Sequence, residues 1–318
     1  MAVKNLWSFG KIMALIFLSI ALFGEENTLP AVCICVAWLM YPECPLNIKK
    51  KDFLWEMLIL FPAGALCPEI GRGSLWGFLV YACATCLILF LSLEPEIMQY
   101  SMPYLLNFVF CQAVPVTPGA LYKRLLCLLL GSVFVFGVSV RAWKKKGFPA
   151  EALDAGRQIH KAAEKRAYII KMAAGLGCAM ALTDQIHFAK PLWVSIVVMS
   201  LTEAEENVMH EKIRDRIIGT VIGLSLFWLI VEKFIPMEGR MVFIFLLGYA
   251  SFFFSGYRTK AIVNAISSVN AAELLLGGEG AVKGRVTGLV IGIGITLVMH
   301  FLGKAFIGKS HNCHLLSE

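Results

Sequence analysis

Residues 75–91 read LWGFLVYACATCLILFL, a run with no charge, no histidine and no proline. A helix needs about 20 such residues to cross a hydrocarbon core roughly 30 Å thick. The run is continuous and does not alternate, which argues against a strand of a membrane β-barrel. Similar runs recur along the 318 residues, near 6–24, 28–42, 53–67, 74–92, 100–116, 122–143, 166–183, 190–202, 214–232, 241–256, 259–277 and 284–303. Hydrophobic residues make up 58% and charged residues only 16%, against roughly 25% charged in a soluble domain. Mean hydropathy is +0.72. Too few charges are available to cover so much apolar surface in water. These features predict an all-α polytopic membrane protein of about twelve transmembrane helices. They exclude disorder, collagen, a coiled coil and a small disulfide scaffold. The net charge of +7 does not point to nucleic acid, because the basic residues lie between apolar runs.

The placement of Lys and Arg sets the expected topology. With the N-terminus inside, Lys49–Lys51, Arg141, Lys144–Lys146, Lys165, Arg166, Lys212, Arg214, Arg216, Arg258, Lys260 and Lys304 fall on the cytoplasmic side. Both termini are then cytoplasmic. The acidic stretch Glu94 to Glu96 falls inside as well, where acids carry little weight in this rule. The first run follows Lys4 and precedes Gly24-Glu25-Glu26 without an A-x-A site, so it reads as a retained helix. Lys144 to Arg166 is the one long polar stretch, a linker with a short helix after Pro149. The expected division is 1–143, linker 144–165, second unit 166–304 and tail 305–318. Cys83 and Cys86 form a C-x-x-C within the opening run, and they read as helix-packing residues.

Shifting the chain by about 160 residues superimposes several features. Lys11 meets Lys171, Pro30 meets Pro191, Glu43 meets Glu203 and Arg124 meets Arg285. Gln112 and Glu273 precede those two arginines at equal spacing. The expectation is two parallel six-helix repeats related by an axis along the membrane normal. Within the second repeat, Arg216-Ile-Ile-Gly219-Thr-Val-Ile-Gly223 and Arg285-Val-Thr-Gly288-Leu-Val-Ile-Gly292 are both R-x-x-G-x-x-x-G. They open runs of opposite direction, which implies a three-plus-three inverted repeat inside that half.

Polar residues within apolar runs mark the candidate substrate or ion pathway, because each is costly in lipid without a partner. The richest stretch is 259–276, TKAIVNAISSVNAAELLL, with Asn264, Ser268, Asn270 and Glu273. Glu273 is either a proton or cation site or an acid at the membrane surface. Asn107 and Gln112 are the first-half counterparts, expected opposite this face. Arg216, with Thr220 beside it, and Arg285 either reach headgroups or attract an anion. Lys171 suits a carboxylate if it and Lys11 face inward. Trp193 either stacks on an aromatic ligand or anchors at the interface. Gly219, Gly223, Gly288 and Gly292 are packing surfaces first, since G-x-x-x-G lets helices approach closely. No phosphate-loop, zinc-protease or nucleophile-elbow motif occurs. No catalytic residue, metal site or cofactor is therefore assigned.

The stretch Pro191-Leu-Trp-Val-Ser-Ile-Val-Val, the acidic loop after it, and Arg214-Asp-Arg-Ile-Ile-Gly-Thr-Val-Ile-Gly resemble the fusaric acid resistance and aromatic acid exporter family. Arg285 to Gly292 resembles its closing span, and the resemblance covers roughly residues 165–303. In the first half, Lys51-Asp-Phe-Leu-Trp-Glu56 stands where the R-x-x-G-T signature would be. The resemblance implies a bacterial inner-membrane secondary transporter exporting aromatic or other weak organic acids, proton-coupled, and working with a periplasmic membrane-fusion adaptor or as a homo-oligomer. A passive organic-anion channel and a non-transporting scaffold for such an adaptor are the alternatives.

Overall fold

A computed structural model describes residues 2–46, 48–92, 100–148, 155–203, 205–254, 256–276 and 278–314. The acidic stretch Glu94 to Glu96 lies outside the described residues. The helices are α1 (Ala2–Phe23), α2 (Thr28–Met40), α3 (Lys50–Gly71), α4 (Gly77–Leu91), α5 (Met102–Ala113), α6 (Pro118–Lys146), α7 (Ala155–Glu164), α8 (Arg166–Gln185), α9 (Pro191–Leu201), α10 (Glu206–Leu226), α11 (Arg240–Ala250), α12 (Tyr257–Leu276) and α13 (Gly278–His314). A π-helical stretch, Phe227–Glu232, extends α10. Every apolar run of the sequence lies on a helix, and α7 occupies the linker.

Among the described residues four helices are long and apolar enough to cross a bilayer: α3, α6, α8 and the Gly280–Lys304 part of α13. By contrast, α5, α9 and α11 rise only about 16–18 Å. Short helices of that kind are tolerated at membrane depth only when protein covers their ends. Proline punctuates these starts. Pro103, Pro118 and Pro191 sit in the first turns of α5, α6 and α9, where the missing N–H costs nothing. At its other end α6 stops at Gly147, whose φ of 68° is left-handed, after Lys144–Lys146 have placed positive charge on the negative end of the dipole.

The first half packs α3 against α5 and α6, and α2 against α5 and α6. Its core is aromatic. Tyr41, Phe53, Phe61, Tyr100, Tyr104 and Phe108 are fully buried, with Phe61 and Tyr104 edge-on at 4.8 Å. Trp143 donates its indole N–H to Tyr41 O at 2.9 Å. In the second half α10 packs on α12 as α3 packs on α5, and α13 packs on α9 as α6 packs on α2. Helices α8 and α9 join the first-half core through Met172, Leu176, Met180, Val194 and Val198, and a separate cluster gathers Trp193, Phe227, Val231 and Val269. Leu75, Trp76, Val221, Leu246 and Phe301 are exposed. Such a belt suits lipid, and the chain is a multi-pass membrane protein.

The halves meet along two unequal seams. On one, α4 lies along α8 and α5 touches α9. Gly177 lets the backbones close up, since a Cβ there would stand 3.1 Å from both Ala82 Cβ and Phe78 O. Tyr81 Oη donates to Asp184 Oδ2 at 2.5 Å, and Gln112 Nε2 donates to Asp184 Oδ1 at 2.7 Å. On the other seam α1 meets α11 only briefly, chiefly through Phe9 edge-on to Tyr249 and Phe252. Asp184 accepts from two donors, so Asp184→Asn turns one of them against an amide N–H. The expected loss is about 1–3 kcal/mol, read as a lower melting temperature in detergent. An unchanged melt would mean that this clasp adds nothing.

Candidate functional site

The site is built by the close approach of α13 to α9. A Cβ on Gly284 would lie 2.9 Å from Trp193 Cζ3, one on Gly288 3.1 Å from Trp193 Cβ, and one on Gly292 2.6 Å from Val197 Cγ1. Trp193 therefore lies flat against α13 and is only 5% exposed. The Arg285 guanidinium stands over its ring, 5.6 Å from the centroid, a cation–π geometry. From α10 comes Arg216, whose charge repels that of Arg285. The same arrangement of small residues brings α10 to α12. A Cβ on Gly219 would meet Ala261 Cβ at 2.7 Å, and one on Gly223 would meet Ala265 Cβ at 2.7 Å and Ile262 O at 2.8 Å.

Arg216 and Arg285 are 4% and 2% exposed. Among the described residues neither has an ion pair. Arg216 Nε and Nη2, Arg285 Nη2 and the Thr220 hydroxyl are buried without a hydrogen-bond partner. Ser195 on α9 is in the same condition. Buried polar groups are almost always satisfied, so such a concentration calls for a missing acceptor. The first-half arginine shows what satisfaction looks like. Arg124 is 0% exposed and donates to Asn27 Oδ1 at 3.1 Å, Glu26 O at 3.0 Å, Val114 O at 2.9 Å and Cys111 O at 3.4 Å.

The polar face of α12 divides. Asn270 is fully buried and donates from Nδ2 to Arg240 O at 3.3 Å, leaving its Oδ1 unpaired. Glu273 is 8% exposed and forms an ion pair with Arg240 of α11. Ser268 donates back to Ala265 O at 3.2 Å. Asn264 is exposed on the outer face of α12 and stands apart from the buried groups. The expected opposition of Asn107 and Gln112 to α12 is corrected. Asn107 is fully buried and donates to Phe61 O of α3 at 2.9 Å, while Gln112 reaches Asp184 of α8. Helix α5 packs on α9, so the first-half amides face α3 and α8.

Lys171 and Lys11 do not converge either. Lys11 is exposed and lies over Trp7 at 5.2 Å. Lys171 is 8% exposed and its Nζ is 3.4 Å from His300 Nδ1. Arg240 and His300 went unrecognised as functional candidates in the sequence. Arg240 stands at a helix start among loop charges, and His300 ends a long apolar run with no metal-site spacing. Removing one partner of the Arg240–Glu273 pair leaves a buried charge alone. Glu273→Gln is thus expected to cost about 3–5 kcal/mol, whereas Arg240→Met with Glu273→Leu recovers most of it in the same thermal melt. Equal losses in both would refute a buried-pair role.

The glycines, Trp193 and the two free arginines lie in one continuous segment. The model of the fusaric acid resistance protein-like family matches residues 177–299. This segment is similar to the fusaric acid resistance protein-like family. The match runs from within α8 to near the end of α13, and takes in Trp193, Arg216 and Arg285 together. It lies inside the 165–303 region picked out by the sequence motifs. No curated protein and no solved structure matches the chain. In the fusaric acid resistance protein-like half, the chemistry on offer is recognition. Two guanidinium groups and an indole can grip a planar anion. Arginine forks suit carboxylate geometry, and the Trp193 ring backs the Arg285 guanidinium.

Proposed function

We propose that the protein is an inner-membrane secondary transporter that exports aromatic or other weak organic acids in exchange for protons. One observation carries this reading: Arg216 of α10 and Arg285 of α13, both buried, lack an acidic partner among the described residues. An unpaired buried cation is destabilised by several kcal/mol, and a bound carboxylate with its water would supply the missing acceptors. Thr220 and Ser195 add hydroxyls along the same helices. Asn270, Glu273 and Ser268 line the adjoining polar face. The similarity of residues 177–299 to the fusaric acid resistance protein-like family supports export of such acids.

The twelve-span architecture, as two parallel six-helix repeats with both termini cytoplasmic, belongs to the same proposal. The matching contacts of α3 with α5 and α10 with α12, and of α6 with α2 and α13 with α9, favour it. So does the exchange of α10/α12 for α13/α9 within the second half, as a three-plus-three inverted repeat requires. The domain limits 1–143, 144–165, 166–304 and 305–318, a homo-oligomeric state and a periplasmic adaptor partner follow from this proposal.

The test is flux of benzenesulfonate in proteoliposomes. This probe stays charged at all relevant pH values and so does not leak as a neutral acid. Saturable flux stimulated by a proton gradient is expected. Saturable flux indifferent to that gradient would instead identify a passive channel. No flux for this probe or for benzoate, with retained binding of an adaptor, would identify a scaffold.

A further inference from the structure

The inner end of the second half holds a second cluster that the arginine site does not use. His300 of α13 is 3% exposed. Its Nδ1 is 3.4 Å from Lys171 Nζ of α8. Its Nε2 is 3.5 Å from Glu206 Oε1 of α10, buried and without a made hydrogen bond. Glu206 also pairs with Lys304, and His210 stands 3.6 Å away from it. These side chains join α8, α10 and α13, and α8 also packs on α13 here, with Gly175 near Met299 and Gly303 against the Lys171 stem.

The protonation state of the imidazole decides whether the clasp holds. A lysine ammonium facing Nδ1 leaves the ring proton on Nε2. Neutral His300 then accepts from Lys171 and points its N–H toward Glu206. A proton arriving at Nδ1 occupies the lone pair that Lys171 was using. Two cations then face each other across 3.4 Å, and the Lys171 contact turns from attractive to repulsive. Glu206 holds the imidazolium on the other side. The hydrogen bond from Lys304 keeps the Glu206 carboxyl below its ordinary range, so it is still anionic while an imidazole titrates. The pairing of Glu206 is present at neutral pH and is lost only as pH falls through that lowered value.

The groups bearing on His300 are Lys171 from α8, Glu206 from α10 and Lys304 from its own helix. His210 of α10 reaches it only through Glu206. Helix α9 contains no ionisable residue. On α12, Arg258 is committed to Asp215 and Glu273 to Arg240, Tyr257 lies against Lys212 and Lys260 is exposed. The Lys171 stem lies on α13 itself, against Gly303, where a Cβ would stand 3.2 Å from Lys171 Cε. Displaced from His300, it has to move away from α13.

We propose that His300 is the proton-exchange site of this protein, and that its protonation releases Lys171 and parts α8 from α13 at the inner end. This rests on the export reading for its meaning but not for its chemistry. The full chain in lipid nanodiscs, labelled with ¹⁵N-histidine and assigned with His300→Gln, tests it directly. His300 is expected to titrate, with proton affinity at least about threefold tighter in Lys171→Met and at least about threefold weaker in Glu206→Gln. A ring that does not titrate between about pH 4.5 and 8.5, or that ignores both neighbours, overturns the proposal.

In proteoliposomes His300→Gln is expected to remove stimulation of benzenesulfonate flux by a proton gradient, while flux driven by membrane potential persists. Retained stimulation in that variant also overturns the proposal. If the wild type carries no probe while His300 titrates as described, the export reading fails and the proton site stands.

Discussion

Arg285→Gln is expected to weaken aromatic-anion binding by at least about thirtyfold while leaving the folded protein intact, and Arg124→Gln is expected to do the reverse. The two arginines lie near the starts of α13 and α6, and their surroundings separate them. Arg124 donates to three carbonyls and the Asn27 amide. Glutamine reaches few of these, so the acceptors are left buried and unpaired, a loss of about 3–5 kcal/mol. Arg285 has the Trp193 ring on one face and an unpartnered Nη2. Its removal relieves repulsion from Arg216, so the empty protein is expected to melt no lower than wild type. Truncating one partner of a buried, hydrogen-bonded charge pair costs about 2–5 kcal/mol in binding, which at its lower end is the thirtyfold stated. Thermal shift with benzoate and benzenesulfonate reads both effects. A collapse of the Arg285→Gln protein with no ligand present would show that its role is structural.

Gly292→Val and Gly294→Val, two residues apart on α13, are expected to diverge sharply. At Gly292 the added carbon would fall 2.6 Å from Val197 Cγ1 and 3.1 Å from Val194 O. Helix α9 has to retreat, and with it Trp193. Overpacking of this kind costs about 1–3 kcal/mol and more where a backbone atom is the obstacle. At Gly294 nothing lies within 4 Å, so Gly294→Ala gains the roughly 0.5–1 kcal/mol of helix preference over glycine, and valine there is close to neutral. On α10, Gly223→Ala meets Ile262 O at 2.8 Å as well as Ala265 Cβ. Ala265→Gly is therefore expected to restore only part of the loss. Purified yield and melting temperature decide, and equal behaviour at positions 292 and 294 would show that the α9–α13 contact is looser than described.

Much of the helix order was legible because apolar runs leave little choice: a segment such as 75–91 has no way to satisfy its backbone in lipid except as a helix. The R-x-x-G-x-x-x-G repeats pointed to close packing through composition alone, and Arg216 and Arg285 could be singled out by charge in an apolar context. Which arginine is satisfied could not. That depends on carbonyls of α5 and the α1–α2 turn, far from Arg124 in sequence. The same holds for α12. Its periodicity places Asn264 and Asn270 on helix faces but does not say which face is covered, and Asn264 is exposed. The Arg240–Glu273 pair and the Lys171–His300–Glu206 cluster join residues from separate helices with no shared motif. Asp184, a single acid after an apolar run, carried no signal until Tyr81 and Gln112 were seen to converge on it.

The two junctions between the halves differ in kind, and that inequality constrains motion. Helices α4 and α8 are locked by Gly177 and by two donors on Asp184, whereas α1 and α11 touch at little more than one phenylalanine. A book bound along one edge opens at the other. Any rocking of the halves must hinge on the α4–α8 spine, so the largest excursion falls at the α1–α11 fore-edge, and a solute leaving by that route would be handed sideways into the bilayer before reaching water.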